Sequence, residues 1–332
     1  MLDERKASIL RAVVEEYIQT AQPVGSGHVA RAPGIAVSPA TVRNEMALLE
    51  DEGYLAQPHT SAGRVPTEKG YRFFVDSLTG PGRLGTAETQ QVRSFFAKAH
   101  GELEQMLADT SRLLSSITDY AAVVVAPPHE VATVRSVQLV ALSHRVVLEV
   151  VVLSNGVVDK RTIELDEDVD EIRLGAASVH LNAHLVGRAL GALGTVVPTG
   201  DAATDALVQV GLRAAASDGS DPEDVFVGGT ARMLASFEAV DTVRQVLTIL
   251  EQQLVVVSLL RDVLDRGLSV AIGSETGVEP LAECSLVVAP YEVDGDGIGT
   301  IGLLGPTRMN YPQALAAVAV VSQRLGTRLS EG

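Results

Sequence analysis

The amino-acid sequence predicts an α+β protein in which an amino-terminal helix-turn-helix with a β-hairpin wing precedes an α+β domain interrupted by a mainly helical insertion. Three observations predict it. Helical stretches separated by Pro and Gly breaks fill the segment before Gly53 and run into a turn-rich hairpin. Further along, strand-like runs flank a helical block, the mark of an α+β domain with an insertion. The 332 residues, at roughly 150 per domain, leave room for two or three cores.

In chain order, Ile9, Leu10, Val13, Val14 and Tyr17 recur at helical spacing between Asp3 and Ala21, and Pro23 is the stop. A short second helix covers Ser26 to Ala32 and is cut by Pro33-Gly34. The third begins at Ser38-Pro39, an N-cap followed by proline at the first helical position, and ends at Gly53. Tyr54-Leu55-Ala56 and Arg64-Val65 pair around the loop from Gln57 to Gly63 as the wing, and Thr67 to Leu78 is a further helix.

The turn-rich run from Leu78 to Gly85 closes a first domain, residues 1–79. Val92, Phe96, Ala99, Leu103, Met106, Thr110, Leu113, Ile117 and Tyr120 alternate four and three apart, which predicts one long connecting helix over 80–120 with a coiled-coil-like seam. Strands follow at Ala122 to Ala126, Val134 to Leu142, Arg145 to Leu153 and Val157 to Leu165, the last two joined by an Asn155-Gly156 turn. Helices are expected from Gly175 to Leu193 and Asp201 to Ala216, then a break at Ser217 to Pro222 and one long helix from Asp241 to Asp265. Strands return at Leu268 to Ile272, Leu286 to Val293 and Ile298 to Leu304, and a helix from Pro312 to Leu325 follows. Residues 121–171 and 241–332 are therefore expected to form one discontinuous domain, with 172–240 inserted.

Hydrophobic residues are 46% and charged residues 20%, a globular balance. The most apolar runs, Val137 to Leu153 and Leu254 to Leu264, are broken by charges and fall short of the ~20 apolar residues of a membrane span. The amino terminus is charged from Asp3 to Lys6 and lacks the apolar core of a secretory signal, and the lone Cys284 excludes an internal disulfide, so a reducing cytoplasm is expected. Net charge is −16, which argues against a general nucleic-acid coat or a binder of anionic membranes. Residues 1–79 hold 8 Lys+Arg against 10 Asp+Glu, so phosphate contact, if any, belongs to this nearly neutral quarter.

The third helix is the most informative element. At 100° per residue Val42, Met46 and Leu49 share the buried face, and Ala40, Arg43, Asn44 and Ala47 lie on or beside the opposite one. Arg grips guanine O6/N7, Asn pairs with adenine N6/N7, and Ala and Thr methyls meet thymine C5, so the pattern suits a major groove. Glu50, Asp51 and Glu52 oppose the dipole at the carboxyl end and repel phosphate, which leaves only the amino-terminal half to enter. The wing, Pro58 to Arg64, is rich in small donors and carries one cation, suited to phosphates or a minor groove.

Ser38 to Met46, Leu49-Glu50, Gly53-Tyr54, Gln57 to Thr67 and Lys69 to Arg72 together closely resemble the heat-inducible transcription repressor family, HrcA; Pro23 to Ser26 and Gly305 to Tyr311 resemble further markers of it. Gly27-His28 stand where the family commonly offers a basic residue. The resemblance implies a winged-helix DNA-binding domain, a GAF-like domain, and a dimerisation domain inserted into it. It implies a homodimer that represses chaperone genes from an inverted-repeat operator, with the GroEL chaperonin as partner. The candidate DNA-contacting residues are Ser38, Ala40, Thr41, Arg43 and Asn44 on the third helix, His59, Thr60, Ser61, Gly63 and Arg64 on the wing, and Lys69 beyond it. The alternative is a winged-helix regulator of another regulon whose GAF-type domain senses a small effector.

No catalytic residue, metal or cofactor is expected. Gly297 to Gly302 matches G-x-G-x-x-G but enters a strand instead of leaving one for a helix, so an NAD-linked enzyme is disfavoured. His180 and His184 have a chelating spacing without a third ligand, and Asp294 to Gly297 lacks the calcium loop's closing Glu. Cys284 reads as a packed residue, and Arg308, Asn310 and Tyr311 as structural caps after the last strand.

Overall fold

A computed structural model describes residues 2–59, 63–80, 82–98, 103–127, 132–154, 157–168, 170–216, 225–234, 240–265, 269–293 and 297–330. The chain is mixed α/β. Its amino-terminal unit contains α1 (Glu4–Thr20), α2 (Ser26–Val29), α3 (Pro39–Asp51), a hairpin of β1 (Leu55–Ala56) and β2 (Val65–Pro66), and α4 (Glu68–Asp76). Local chemistry starts each long helix: the Asp3 carboxylate accepts from Lys6 N at 2.8 Å, Ser38 Oγ from Thr41 N at 3.2 Å and Thr67 Oγ1 from Gly70 N at 3.2 Å. Ile9, Leu10, Val13 and Val14 of α1 pack with Val42, Met46 and Leu49 of α3, and Tyr71 and Phe74 of α4 close the cluster. The second helix is one turn, shorter than its expected reach to Ala32.

The following segment forms two helices, α5 (Thr86–Lys98) and α6 (Leu103–Thr118), where one connecting helix was expected. Val92, Phe96, Leu103, Leu113 and Ile117 of the expected seam are buried against the chain's own sheet and terminal helix; Ala99 lies outside the described residues. A heptad pattern records that a stripe must be covered, and here an intramolecular surface covers it.

That sheet has five antiparallel strands in the order β7 (Val225–Gly228), β3 (Ala121–Val125), β10 (Gly297–Pro306), β9 (Cys284–Val293) and β8 (Val270–Ile272). α5, α6 and the terminal α12 (Tyr311–Ser330) cover one face. α10 (Val240–Glu251) and α11 (Gln253–Asp265) cover the other, as two helices where one was expected. Helices on both faces explain why all five residues of β3 are apolar and buried. Gly297 to Gly302 lie within β10, which continues as strand to Pro306 before α12 begins at Tyr311; Asp294 to Asp296 lie outside the described residues.

β4 (Val134–Ala141), β5 (Val146–Leu153) and β6 (Val158–Glu164) make a separate antiparallel meander. Its inner face packs on α7 (Glu171–Leu185) and α8 (Ala202–Ala216), sharing one core of Val137, Val151, Leu174, Leu181 and Val208 among others. This corrects the expected boundaries. The meander leaves the 121–171 segment to join the inserted helices, and β7, inside the expected 172–240 insertion, returns to the five-stranded sheet. Period-two alternation identifies strands without saying which sheet they enter. The Asn155-Gly156 turn and the break at Ser217 to Pro222 fall outside the described residues. Among the described residues no helix is long and apolar enough to cross a membrane.

Candidate nucleic-acid interface

α3 is held by its inner face, where Val42 and Leu49 are fully buried and Met46 nearly so, and this leaves Ser38, Ala40, Arg43 and Asn44 exposed with Thr41 half-buried beside them. Ser38 is committed to the cap, with Thr41 Oγ1 also 3.0 Å from its hydroxyl. Among the described residues neither Arg43 nor Asn44 has a side-chain partner. Both heads are therefore free to pair with base edges at little desolvation cost beyond that of binding.

The β1–β2 hairpin, the expected wing, is anchored at both ends. Leu55 pairs with Pro66 and Ala56 with Val65, and a bridge from Arg64 to Val24 ties the returning arm to the segment before α2. Gly63 is dictated by that crossing, because a Cβ there would collide with the Val24 carbonyl. His59 is exposed; Thr60 and Ser61, at the expected tip, lie outside the described residues.

Two expected DNA contacts are engaged inside the unit. Arg64 Nη2 sits 2.7 Å from Glu50 Oε2, so the wing cation is clamped to the last turn of α3. Lys69 Nζ donates to Glu52 O at 2.8 Å and lies 4.3 Å over the Tyr54 ring. It therefore caps the carboxyl end of α3, where a cation meets the negative end of the helix dipole. Arg5, Lys6 and Arg72 are likewise paired with carboxylates. Among the described residues of the unit, Arg11, Arg31 and Arg43 are the cations left without a side-chain partner.

Sequence reasoning missed Glu50 as the partner of the wing arginine, and it missed Leu48, which is 46% exposed one turn beyond Asn44. Leu48 was legible: at 100° per residue it lies 40° from Asn44 on the outer face. The Glu50 contact was not, since it depends on where the hairpin folds back.

The remaining candidates have structural partners. His180 Nε2 lies 2.6 Å from Val197 O, His184 Nδ1 2.8 Å from His180 O, and their ring centroids are 4.3 Å apart with the planes tilted by 44°. Burial pushes the Cys284 thiol up to about 12, so it stays protonated at neutral pH. Tyr311 donates from its buried hydroxyl to Thr307 O at 2.5 Å, and Asn310 N donates to Tyr120 Oη at 2.8 Å.

The family model for the HrcA protein C-terminal domain matches residues 104–315. The heat-inducible transcription repressor HrcA of Moorella thermoacetica is 39% identical over 341 residues, spanning 99% of this chain and 98% of that protein. The repressor of the same name from a Nocardioides species is 40% identical over 339 residues, spanning all of both. A crystal structure of a hypothetical protein at 2.2 Å matches over 100% of this chain and 99% of its own, with a TM-score of 0.68 and 23% identity, a likeness of fold.

Proposed function

This chain belongs to the HrcA family of heat-inducible transcription repressors, and from that premise we propose that it represses heat-shock genes by seating α3 of each of two copies in an inverted-repeat operator. The family is one of repressors and not an enzyme class. The observation that carries the DNA reading is the pair Arg43 and Asn44, side by side on the exposed face of α3 without partners among the described residues. In this reading the amino-terminal unit is a winged helix-turn-helix, with α3 as its reading helix and β1–β2 as its wing. Ser38, Ala40 and Thr41 line the groove-entering end; His59, Thr60, Ser61 and Gly63 approach the DNA backbone, while Arg64, held by Glu50, fixes the wing against α3. Lys69 acts indirectly, by fixing the end of α3. The five-stranded unit is the GAF-like domain.

Residues 132–216 are the inserted dimerisation unit. The support is the outer face of α7, where Ile172 is 84%, Val179 71% and Val186 49% exposed, with Gly175, Ala176 and Ala183 between them. A two-fold axis through Val179 sets Ile172 of one copy over Val186 of the other, Gly175 over Ala183 and Asp170 over Arg188, so apolar, small and opposite-charge positions all match. The GroEL chaperonin belongs to the same proposal on the family resemblance, and action on genomic DNA sets the protein in the cytoplasm.

The test is selection from a random DNA pool with the full chain at fixed salt. Enrichment of an inverted repeat is the expected outcome; no enriched sequence, or a lone half-site, refutes the reading.

A further inference from the structure

The DNA-binding unit is fastened to the five-stranded core by a joint that lies away from the groove-entering surface. Arg72 of α4 donates from Nε to Glu275 Oε1 at 2.9 Å and from Nη2 both to Glu275 Oε2 and, at 2.8 Å, to Val270 O. Glu275 is itself fixed, since its Oε2 accepts from Ile272 N at 2.9 Å. One turn earlier on α4, Glu68 Oε1 accepts from Ser274 N at 3.1 Å and Glu68 Oε2 from the Ser274 hydroxyl. Gly273 has φ +54° and a Cβ there would strike the Glu68 carboxylate, so the turn Gly273–Thr276 is shaped to receive α4. Beneath, the Tyr71 and Tyr311 rings lie 5.9 Å apart, and Gly82 N donates to Pro312 O at 3.1 Å. Tyr311, the last residue of one of the stretches that singled out the family, thus lies on the core side of the joint.

α4 cannot turn without turning the reading helix. Thr67 Oγ1 donates to Gly53 O at 2.7 Å and Lys69 to Glu52 O at 2.8 Å, which ties the start of α4 to the end of α3. Over a lever of ~20 Å, somewhat longer than the ~14 Å of α4 itself, a rotation of ~10° moves α3 by ~3.5 Å, about one base-pair rise. A bidentate guanidinium–carboxylate pair resists such rotation, because both hydrogen bonds require one plane.

We infer that Arg72 and Glu275 are positioning residues that fix the angle of each winged helix on its core and so set the half-site spacing the dimer accepts. The inference rests on the inverted-repeat reading above. It assigns a role in spacing selectivity to two residues that touch no DNA, and it uses the pair's directionality and not its modest contribution to stability.

The experiment titrates full-length wild type, Glu275→Gln, Arg72→Lys and the swap Arg72→Glu/Glu275→Arg against the selected operator and versions whose central spacer is changed by one or two base pairs. Wild type is expected to show a sharp optimum, rejecting a one-base-pair change by about tenfold. Glu275→Gln and Arg72→Lys, which keeps the charge and loses the fork, should bind the optimal spacing within about threefold of wild type and accept the altered spacings within about threefold of that. Binding to a single half-site should be unchanged, which a folding defect would not leave. A sharper profile in the swap than in either single change supports the pairing. A spacing profile in both single variants as sharp as that of wild type overturns the inference, and a wild type indifferent to spacing overturns the inverted-repeat reading itself.

Discussion

Glu149 offers a test of the inserted unit that is independent of DNA. It sits mid-strand in β5, between Leu139 of β4 and Arg161 of β6, on the face that packs against α7 and α8. The side chain is fully buried, and among the described residues neither carboxylate oxygen has a hydrogen-bond partner. Burial raises its pKa from 4.5 to about 8, against the pull of the Arg161 guanidinium and with a small push from Asp159. A carboxyl whose folded pKa is raised binds its proton more tightly in the folded state. Its contribution to stability is therefore complete below the unfolded value and is lost as pH climbs from about 4.5 to about 8. At ~1.4 kcal/mol per pKa unit the full shift caps the loss at about 5 kcal/mol, and water reaching the site should reduce the observed loss to roughly 1–3 kcal/mol. Replacing the group by a neutral isostere, Glu149→Gln, removes the titration. Thermal unfolding of wild type and variant followed by circular dichroism from pH 5 to 9 should show the variant gaining on wild type as pH rises, with most of the gain between pH 5 and about 8 and a plateau above it. A stability difference that stays flat across that range would refute the argument, because it would mean that the carboxylate is already ionised in the folded chain.

Three further outcomes are expected. Arg43→Ala or Asn44→Ala should cost ~1–3 kcal/mol on the selected operator and leave binding to random DNA nearly unchanged, measured by titration at one salt concentration; equal losses on both DNAs would remove α3 from the groove. Val179→Asp in α7 should run as a folded monomer in light scattering and lose ~10²–10⁴ in operator affinity, since the second half-site contact is no longer intramolecular; an intact dimer would move dimerisation off α7. Lys69→Met should lower stability by ~0.5–1 kcal/mol through the lost cap on α3 while leaving the salt dependence of DNA binding as in wild type; a salt slope lower by about one ion would return Lys69 to the phosphates.

What the sequence made legible is what neighbouring residues decide. Asp3, Ser38-Pro39 and Thr67 announce helix starts through contacts within one turn, and the inner face of α3 follows from the spacing of Val42, Met46 and Leu49. The candidate reading pair Arg43 and Asn44 follows from the same wheel. Contacts closed by distant segments were not legible. The Val92 to Ile117 stripe fits a partner helix and the chain's own sheet equally well, and only the arrival of β9, β10 and α12 decides between them. Lys69 reads as a candidate DNA contact, and its ties to Glu52 O and the Tyr54 ring depend on where the hairpin folds back, which its own neighbours do not mark. The meander's strands were found and its sheet was not, because its core comes from α7 and α8, which carry no mark of their strand partner in their own periodicity.

The position of β3 inside the five-stranded sheet bears on how the chain is made. Its five apolar residues emerge early from the ribosome, yet one neighbour is β10, which follows about 170 residues later, roughly 10–30 s at ~5–20 residues per second. During that interval an untenanted apolar strand waits at the tunnel exit with no native partner on that edge, a template for pairing with other nascent chains. The inserted unit, closed on its own core, can fold meanwhile and hold the gap open. A chain so built reaches its native form at a rate set by how long that edge of β3 goes unpaired, so the slow step is the arrival of β10 and not the closing of any local element.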